Sequence, residues 1–175
     1  MIFTETKLKD AYIINLEKMV DERGFFARTY CENEFENVGI SFTPVQANVS
    51  YNRHKHTLRG IHFQKSPYEE AKLVNCLKGA IYDVIIDLRP SSPTFNEWIG
   101  IELDSKNRKM LYVPKGFAHG FLTLKDETEV SYLMSDFYVP GSGRGIRWDD
   151  PYYNIKWPVK AKIISDNDKN WPYKS

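Results

Sequence analysis

The chain has 175 residues, 42% of them hydrophobic and 14% aromatic, with 24 Lys and Arg against 23 Asp and Glu for a net charge of +1. That length supports one domain with a substantial core, which excludes a disordered segment and a disulfide-stapled miniature. The near balance of charge argues against a general nucleic-acid binder, which needs a basic excess. No apolar run approaches the roughly 20 residues of a membrane helix, so no membrane partner is expected. The first residues, MIFTETKLKDAY, lack the basic-then-apolar pattern of a secretory leader. With only Cys31 and Cys76 in the chain, this points to reduced thiols and a cytoplasmic setting.

Strand-like runs follow one another in chain order. Ala11–Leu16 and Gly24–Tyr30 come first, then a short helix over Glu32–Val38, closed by Gly39. Val45–Tyr51 alternates. Ala71–Leu77 and Ala80–Leu88 flank Lys78-Gly79, which reads as a two-residue hairpin turn. Trp98–Leu103, Lys109–Val113, Gly120–Leu124 and Glu129–Phe137 complete the set. The last thirty or so residues carry Pro151, Pro158 and Pro172 and read as an ordered irregular tail with one short helix. Turn signals every 8–12 residues or so indicate an all-β sandwich or barrel, residues 1–175 forming a single domain.

The chemistry-bearing residues are few. His54 and His56 form an H-x-H pair with no carboxylate following closely, a poor metal ligand set, and read as solvated loop residues. Pro114–His119 fits P-x-G-x-x-H. His62 and His119 sit in apolar, aromatic surroundings, and each reads equally as a satisfied core residue or a site residue. A neutral histidine with a carboxylate partner makes a general base near pH 7. Arg23, Arg59 and Lys72 are cations beside apolar runs that could converge on a diphosphate; Lys72 alone reads as a surface charge with a packed stem. Asp83 lies mid-strand, sharing a face with Ile85 and Asp87, opposite Tyr82, Val84 and Ile86. It either faces a cavity or pairs with a cation. No P-loop, Rossmann fingerprint, nucleophile elbow or HExxH motif is present.

Several blocks in register carry more information than any one of them: DERGFF, LRGIHFQ, KGAIYDVIIDLRPSSPTF, PKGFAHGF, EVSYLMSDFY and RGIRWDDP. Together, from about Asp21 to Trp171, they resemble the dTDP-4-dehydrorhamnose 3,5-epimerase family. The resemblance implies a cupin-type double-stranded β-helix, or jelly roll, with a few short peripheral helices. It further implies a homodimer that exchanges N-terminal strands, and catalysis with no metal and no cofactor. The implied substrate is a nucleotide-diphosphate 4-keto-6-deoxy sugar, whose C3 and C5 protons are acidified by the C4 ketone. Within the resemblance His62 is the base, Asp168 its carboxylate partner, Lys72 the oxyanion stabiliser and Tyr132 the proton donor. Taken alone, Tyr132 would be a core aromatic; as donor, a nearby cation is expected to lower its pKa. Arg23 and Arg59 match diphosphate contacts, Arg23 reaching across the dimer with Phe26. Gln46 and Asn48 match pocket-lining residues, His119 a second site histidine and Tyr138 a base-stacking aromatic.

Other readings remain open at this level. One is an epimerase inverting C3 alone, or acting on another nucleotide sugar such as a GDP-4-keto-heptose. Another is a 3,4-ketoisomerase on the same scaffold, and a third is a metal-binding or noncatalytic sugar-binding cupin.

Overall fold

Apolar alternation sorts the central strands onto two facing sheets. The computed structural model describes residues 1–174. Its first sheet contains β1 (Ile2–Glu5), β2 (Tyr12–Asn15), β10 (Met110–Val113), β7 (Lys72–Lys78), β12 (Thr128–Met134) and β5 (Gln46–Asn52), in that spatial order. The second runs β13 (Gly143–Gly145), β6 (Thr57–Gln64), β11 (Phe117–Thr123), β8 (Ala80–Asp87) and β9 (Trp98–Asp104). The short β14 (Ile163–Ile164) pairs parallel to β6, and every other pairing is antiparallel. Two antiparallel sheets with their inner faces apposed make the expected jelly roll of the cupin type.

β8 shows how the core is divided. Ile81 and Ile85 point between the sheets, into a cluster with Val74, Leu111, Phe117 and Val130. Val84 and Ile86 point outward, where Ile146 and Tyr153 of the irregular tail cover them. Asp83 therefore lies on the inner face, as the alternation expects, and it is fully buried. The outer face of the first sheet, through Ile14, Leu73, Met110 and Tyr112, is sealed by Phe35, Ile40 and Phe42.

Phe35 belongs to α1 (Glu32–Glu36). The Ile40 N–H reaches the Phe35 carbonyl and the Gly39 N–H that of Glu36, at 2.9 Å each, with Gly39 at φ +80°. This is a Schellman closure with the expected glycine in the left-handed position. The second helix, α2 (Asp166–Lys169), is capped by Ser165, whose hydroxyl accepts the Asp168 N–H at 3.1 Å. Among the described residues no helix is long and apolar enough to cross a membrane.

Three sequence expectations are corrected. Lys78-Gly79 is not a hairpin turn: β7 and β8 belong to different sheets, and Gly79 turns a corner between them. A glycine at positive φ serves either geometry, so the sequence did not distinguish them. The run from Gly24 is strand only to Phe26, as β4, paired with β3 (Met19–Asp21) in a separate two-stranded hairpin. The run from Glu129 stops at Met134. The sequence reading also lacked β6, the strand on which the site is built. β1 and β2 join their own chain's first sheet, whereas among the described residues β3 and β4 pair only with each other.

Candidate active site

One extra residue in β6 shapes the site. His62 lies opposite His119 and Arg59 opposite Phe121 on β11, so three steps on one strand match two on the other. In a regular strand residues 59 and 62 would face opposite ways, because side chains alternate. The bulge at Gly60-Ile61 turns Arg59 and His62 to the same inner face and sends Ile61 into the outer cluster.

The bulge requires bare backbone on both strands. A Cβ on Gly60 would lie 2.6 Å from the Gly120 Cα, and one on Gly120 would lie 2.8 Å from the Arg59 carbonyl oxygen. Gly60 also sits at φ +111°, a region L-residues rarely adopt. Gly60→Ala is therefore expected to cost at least about 2 kcal/mol, since backbone strain and a clash with unyielding main chain add. Its urea midpoint should fall accordingly, and an unchanged midpoint would refute this account of the motif.

On the second sheet His62 Nε2 lies 2.5 Å from Asp168 Oδ1. A carboxylate only accepts, so Nε2 carries the proton and donates it, leaving the Nδ1 lone pair for other work. The other oxygen, Oδ2, accepts the Gly60 N–H at 3.2 Å, so the bulge itself helps hold the carboxylate. The Asp168 side chain is 5% exposed and that of His62 45%. Burial pushes the Asp168 pKa up, but the hydrogen bonds from His62 and the Gly60 amide more than reverse this. The net position lies below the usual carboxylate range. A parallel pair stands beside it: His119 Nε2 is 2.7 Å from Asp83 Oδ1, both groups buried. Asp83 thus pairs with an imidazole at the cavity wall.

The first sheet supplies the facing wall. Met134 lies opposite both Lys72 and Gln46, and Tyr132 opposite Asn48, so these five side chains share the inner face. Gln46, Asn48 and Ser50 recur at every second residue of β5, a polar rail on the edge strand. Lys72 is buried, its Nζ 3.1 Å from Glu70 Oε1. The reading of Lys72 alone as a surface charge is corrected accordingly. The Tyr132 hydroxyl makes no hydrogen bond to protein among the described residues. Burial raises the Tyr132 pKa, and Arg59 offsets this only in part, so the expected lowering by a cation is also corrected.

A cleft with two lobes, about 480 and 630 Å³, opens between the walls. His62, Lys72 and Tyr132 line both lobes and stand where they meet. Arg59, His119 and Asp168 line the first; Gln46, Asn48 and Tyr138 line the second. Arg59 is aimed by Asn52, whose Oδ1 accepts from Nε at 2.7 Å. Gln64 fixes the loop that presents Tyr138, donating to the Phe137 carbonyl at 3.2 Å and accepting the Val139 N–H at 2.8 Å. Nine of the eleven residues expected from the resemblance thus meet around one cleft. Arg23 and Phe26 line neither lobe: they lie on the β3–β4 hairpin, Phe26 67% exposed and Arg23 paired with Asp21 at 2.5 Å.

The sequence reading missed Ser50, Glu70, Arg144 and Trp171 as lining residues. The period of β5 carried a signal for Ser50, and the spacing of two between Glu70 and Lys72 one for Glu70. Arg144 opens the RGIRWDDP block and Trp171 ends the stretch that carries the resemblance, but nothing in the sequence assigned either a place in the cleft.

A family model described as dTDP-4-dehydrorhamnose 3,5-epimerase matches residues 5–174. The dTDP-4-dehydrorhamnose 3,5-epimerase of Shigella flexneri is 43% identical, over 95% of this chain and 92% of its own. The Bacillus anthracis dTDP-4-dehydrorhamnose 3,5-epimerase, solved with TDP and PPi bound, superposes with a TM-score of 0.95 at 43% identity, covering 99% of each chain. The dTDP-6-deoxy-D-glucose-3,5-epimerase of Legionella pneumophila, solved with dTDP-4-keto-L-rhamnose, gives 0.89 at 37% identity over 95% of this chain and 89% of that one. With the motif blocks, the jelly roll and the paired walls in agreement with these matches along nearly the whole length, the chain belongs to the dTDP-4-dehydrorhamnose 3,5-epimerase family.

Proposed function

We propose that this chain converts dTDP-4-dehydro-6-deoxy-D-glucose to dTDP-4-dehydro-L-rhamnose, inverting C3 and C5. The observation that carries the reading is the placement of a carboxylate-held imidazole on one sheet and an unengaged phenol on the other, across a shared cleft. A sugar ring between them meets a base on one face and an acid on the other.

His62 Nδ1 takes the proton from the carbon beside the C4 ketone. The C–H electron pair moves onto the carbonyl oxygen as an enolate, and the Lys72 ammonium neutralises that charge. The enolate collapses, and the Tyr132 O–H delivers its proton to the opposite face of the same carbon. The raised Tyr132 pKa keeps this group protonated until the carbanion demands it. His62 then loses a proton to water and Tyr132 regains one. The cycle repeats at the second carbon.

In this reading Arg59 and His119 meet diphosphate and sugar oxygens, Gln46 and Asn48 line the nucleotide path, and Tyr138 stacks on the base. Arg23 and Phe26 act from a second copy of the chain, whose β3–β4 hairpin crosses to complete the cleft. Exposed Met19, Val20 and Phe26 give that hairpin the apolar surface such a crossing needs. The enzyme acts as a cytoplasmic homodimer of single-domain chains.

Incubation with dTDP-4-dehydro-6-deoxy-D-glucose in deuterated water should place deuterium at both C3 and C5, read by proton NMR. Deuterium at C3 alone would assign a single inversion. Inertness here, with turnover of a GDP-linked 4-keto sugar, would reassign the nucleotide. Tyr132→Phe should retain proton loss yet slow inversion by about 10²-fold or more, because only the donor is removed.

A further inference from the structure

We infer that Trp171 is a positioning residue for the base, walling the His62–Asp168 pair on its second-lobe side; the inference rests on the function proposed above. The indole lines the second lobe, its ring centre 6.4 Å from that of His62 in an edge-on arrangement with the planes at 68°. That geometry is a favourable aromatic contact and restricts the tilt of the imidazole.

The seat of the indole is built for it. A Cβ on Gly145 would lie 2.2 Å from Trp171 Cε2 and Nε1, so the ring rests on bare backbone. Gly145 is itself the register partner of His62 across the β13–β6 pair. One backbone position thus supports the histidine through the sheet and the tryptophan through contact.

The chain around Trp171 is pinned on both sides. Before it, α2 carries Asp168 and is capped by Ser165. After it, Arg147 lies over the Tyr173 ring at 4.6 Å, the Lys174 N–H donates to Asp150 at 2.7 Å, and Lys174 Nζ sits 4.0 Å from the Tyr152 ring centre. Residues 165–174 therefore form a clasp that delivers two side chains to the base: Asp168, which bonds it, and Trp171, which borders it. A wall of this kind excludes water from one side of the Nε2–H···Oδ1 bond and strengthens it by lowering the local dielectric. The indole Nε1–H is buried and has no hydrogen-bond partner among the described residues. The seat on Gly145 is therefore a matter of the ring's shape.

The test uses three variants. Trp171→Ala should lower kcat by about 10- to 100-fold with KM changed less than about threefold, the pattern of a misaligned base rather than a lost binding contact. Trp171→Phe keeps an aromatic edge and should restore kcat to within about threefold of the unaltered chain. Gly145→Ala, whose methyl occupies the indole seat, should reproduce the Trp171→Ala loss without touching tryptophan. In the free protein, the proton shared by His62 and Asp168 should give a low-field NMR resonance. That signal should broaden through exchange with water in Trp171→Ala and Gly145→Ala, and remain sharp in Trp171→Phe.

Unchanged kcat in Trp171→Ala, a loss carried mainly by KM, or failure of phenylalanine to rescue would each overturn the inference. The NMR signal is independent of turnover. If the unaltered chain exchanges no substrate protons, the proposed reaction falls, while a signal that responds as described still upholds the wall.

Discussion

His62→Asn is expected to stop deuterium uptake at C3 and C5 and to lower kcat by about 10²- to 10⁴-fold, the range for removal of a general base. Asparagine is smaller and its amide falls short of the Nε2 position, but the Gly60 N–H still holds Asp168 Oδ2 and cleft water can reach Oδ1, so the clasp and the bulge remain in place. What disappears is the Nδ1 lone pair. The His62 side chain is 45% exposed on the cleft, so little core packing is lost and the melting temperature should stay near that of the unaltered chain. Affinity for dTDP should also hold, because the base acts on the sugar. A variant that still exchanges both protons at the original rate would remove His62 from its assigned role.

Asp168→Asn is expected to cost about 10²- to 10⁴-fold in kcat by a different route, through the wrong tautomer. Asp168 accepts from two donors, His62 Nε2–H and the Gly60 N–H. An amide has one oxygen. Turned toward Gly60, it presents N–H to the imidazole, which must then accept at Nε2 and carry its proton on Nδ1, where the substrate needs a lone pair. Turned the other way, it sets N–H against N–H at Gly60. KM should change little.

The same substitution alters acid stability. The folded pKa of Asp168 is below its ordinary value of 3.8. A depressed carboxylate contributes stability that is fully present above the unfolded value and is lost as pH falls through the lower folded value. Urea midpoints of the unaltered chain should therefore drop more steeply below pH 4 than those of Asp168→Asn. Equal slopes would contradict the depressed Asp168 pKa in the folded chain.

The central strands were legible because burial imposes a strict period of two. In β8 the assignment of Asp83 and Ile85 to one face and Val84 and Ile86 to the other carries directly into the two clusters. The Gly39 closure was legible because few residues but glycine adopt its backbone geometry at ease. β6 was not legible, since its bulge breaks the period and its face toward the cleft is polar. The Gly79 corner failed for another reason: local chemistry fixes a backbone angle but not which sheet the chain enters next. The site itself came from motif blocks rather than periodicity, and Lys72 and Tyr132 would have passed as ordinary strand residues. Burial of Tyr132, which outweighs the nearby guanidinium, is a tertiary fact. So is the arrival of Trp171 beside a histidine more than a hundred positions earlier in the chain.

The surplus residue in β6 sets the interests of the scaffold against those of the catalyst. Deleting one residue there would restore regular hydrogen bonding, relieve the glycine requirement and yield a tidier ladder. It would also leave Arg59 and His62 on one face, two residues apart, but would take away the backbone N–H that the irregular ladder leaves at Gly60 to hold Asp168 Oδ2. Selection for thermal robustness alone would erode this irregularity, and only selection for turnover keeps it.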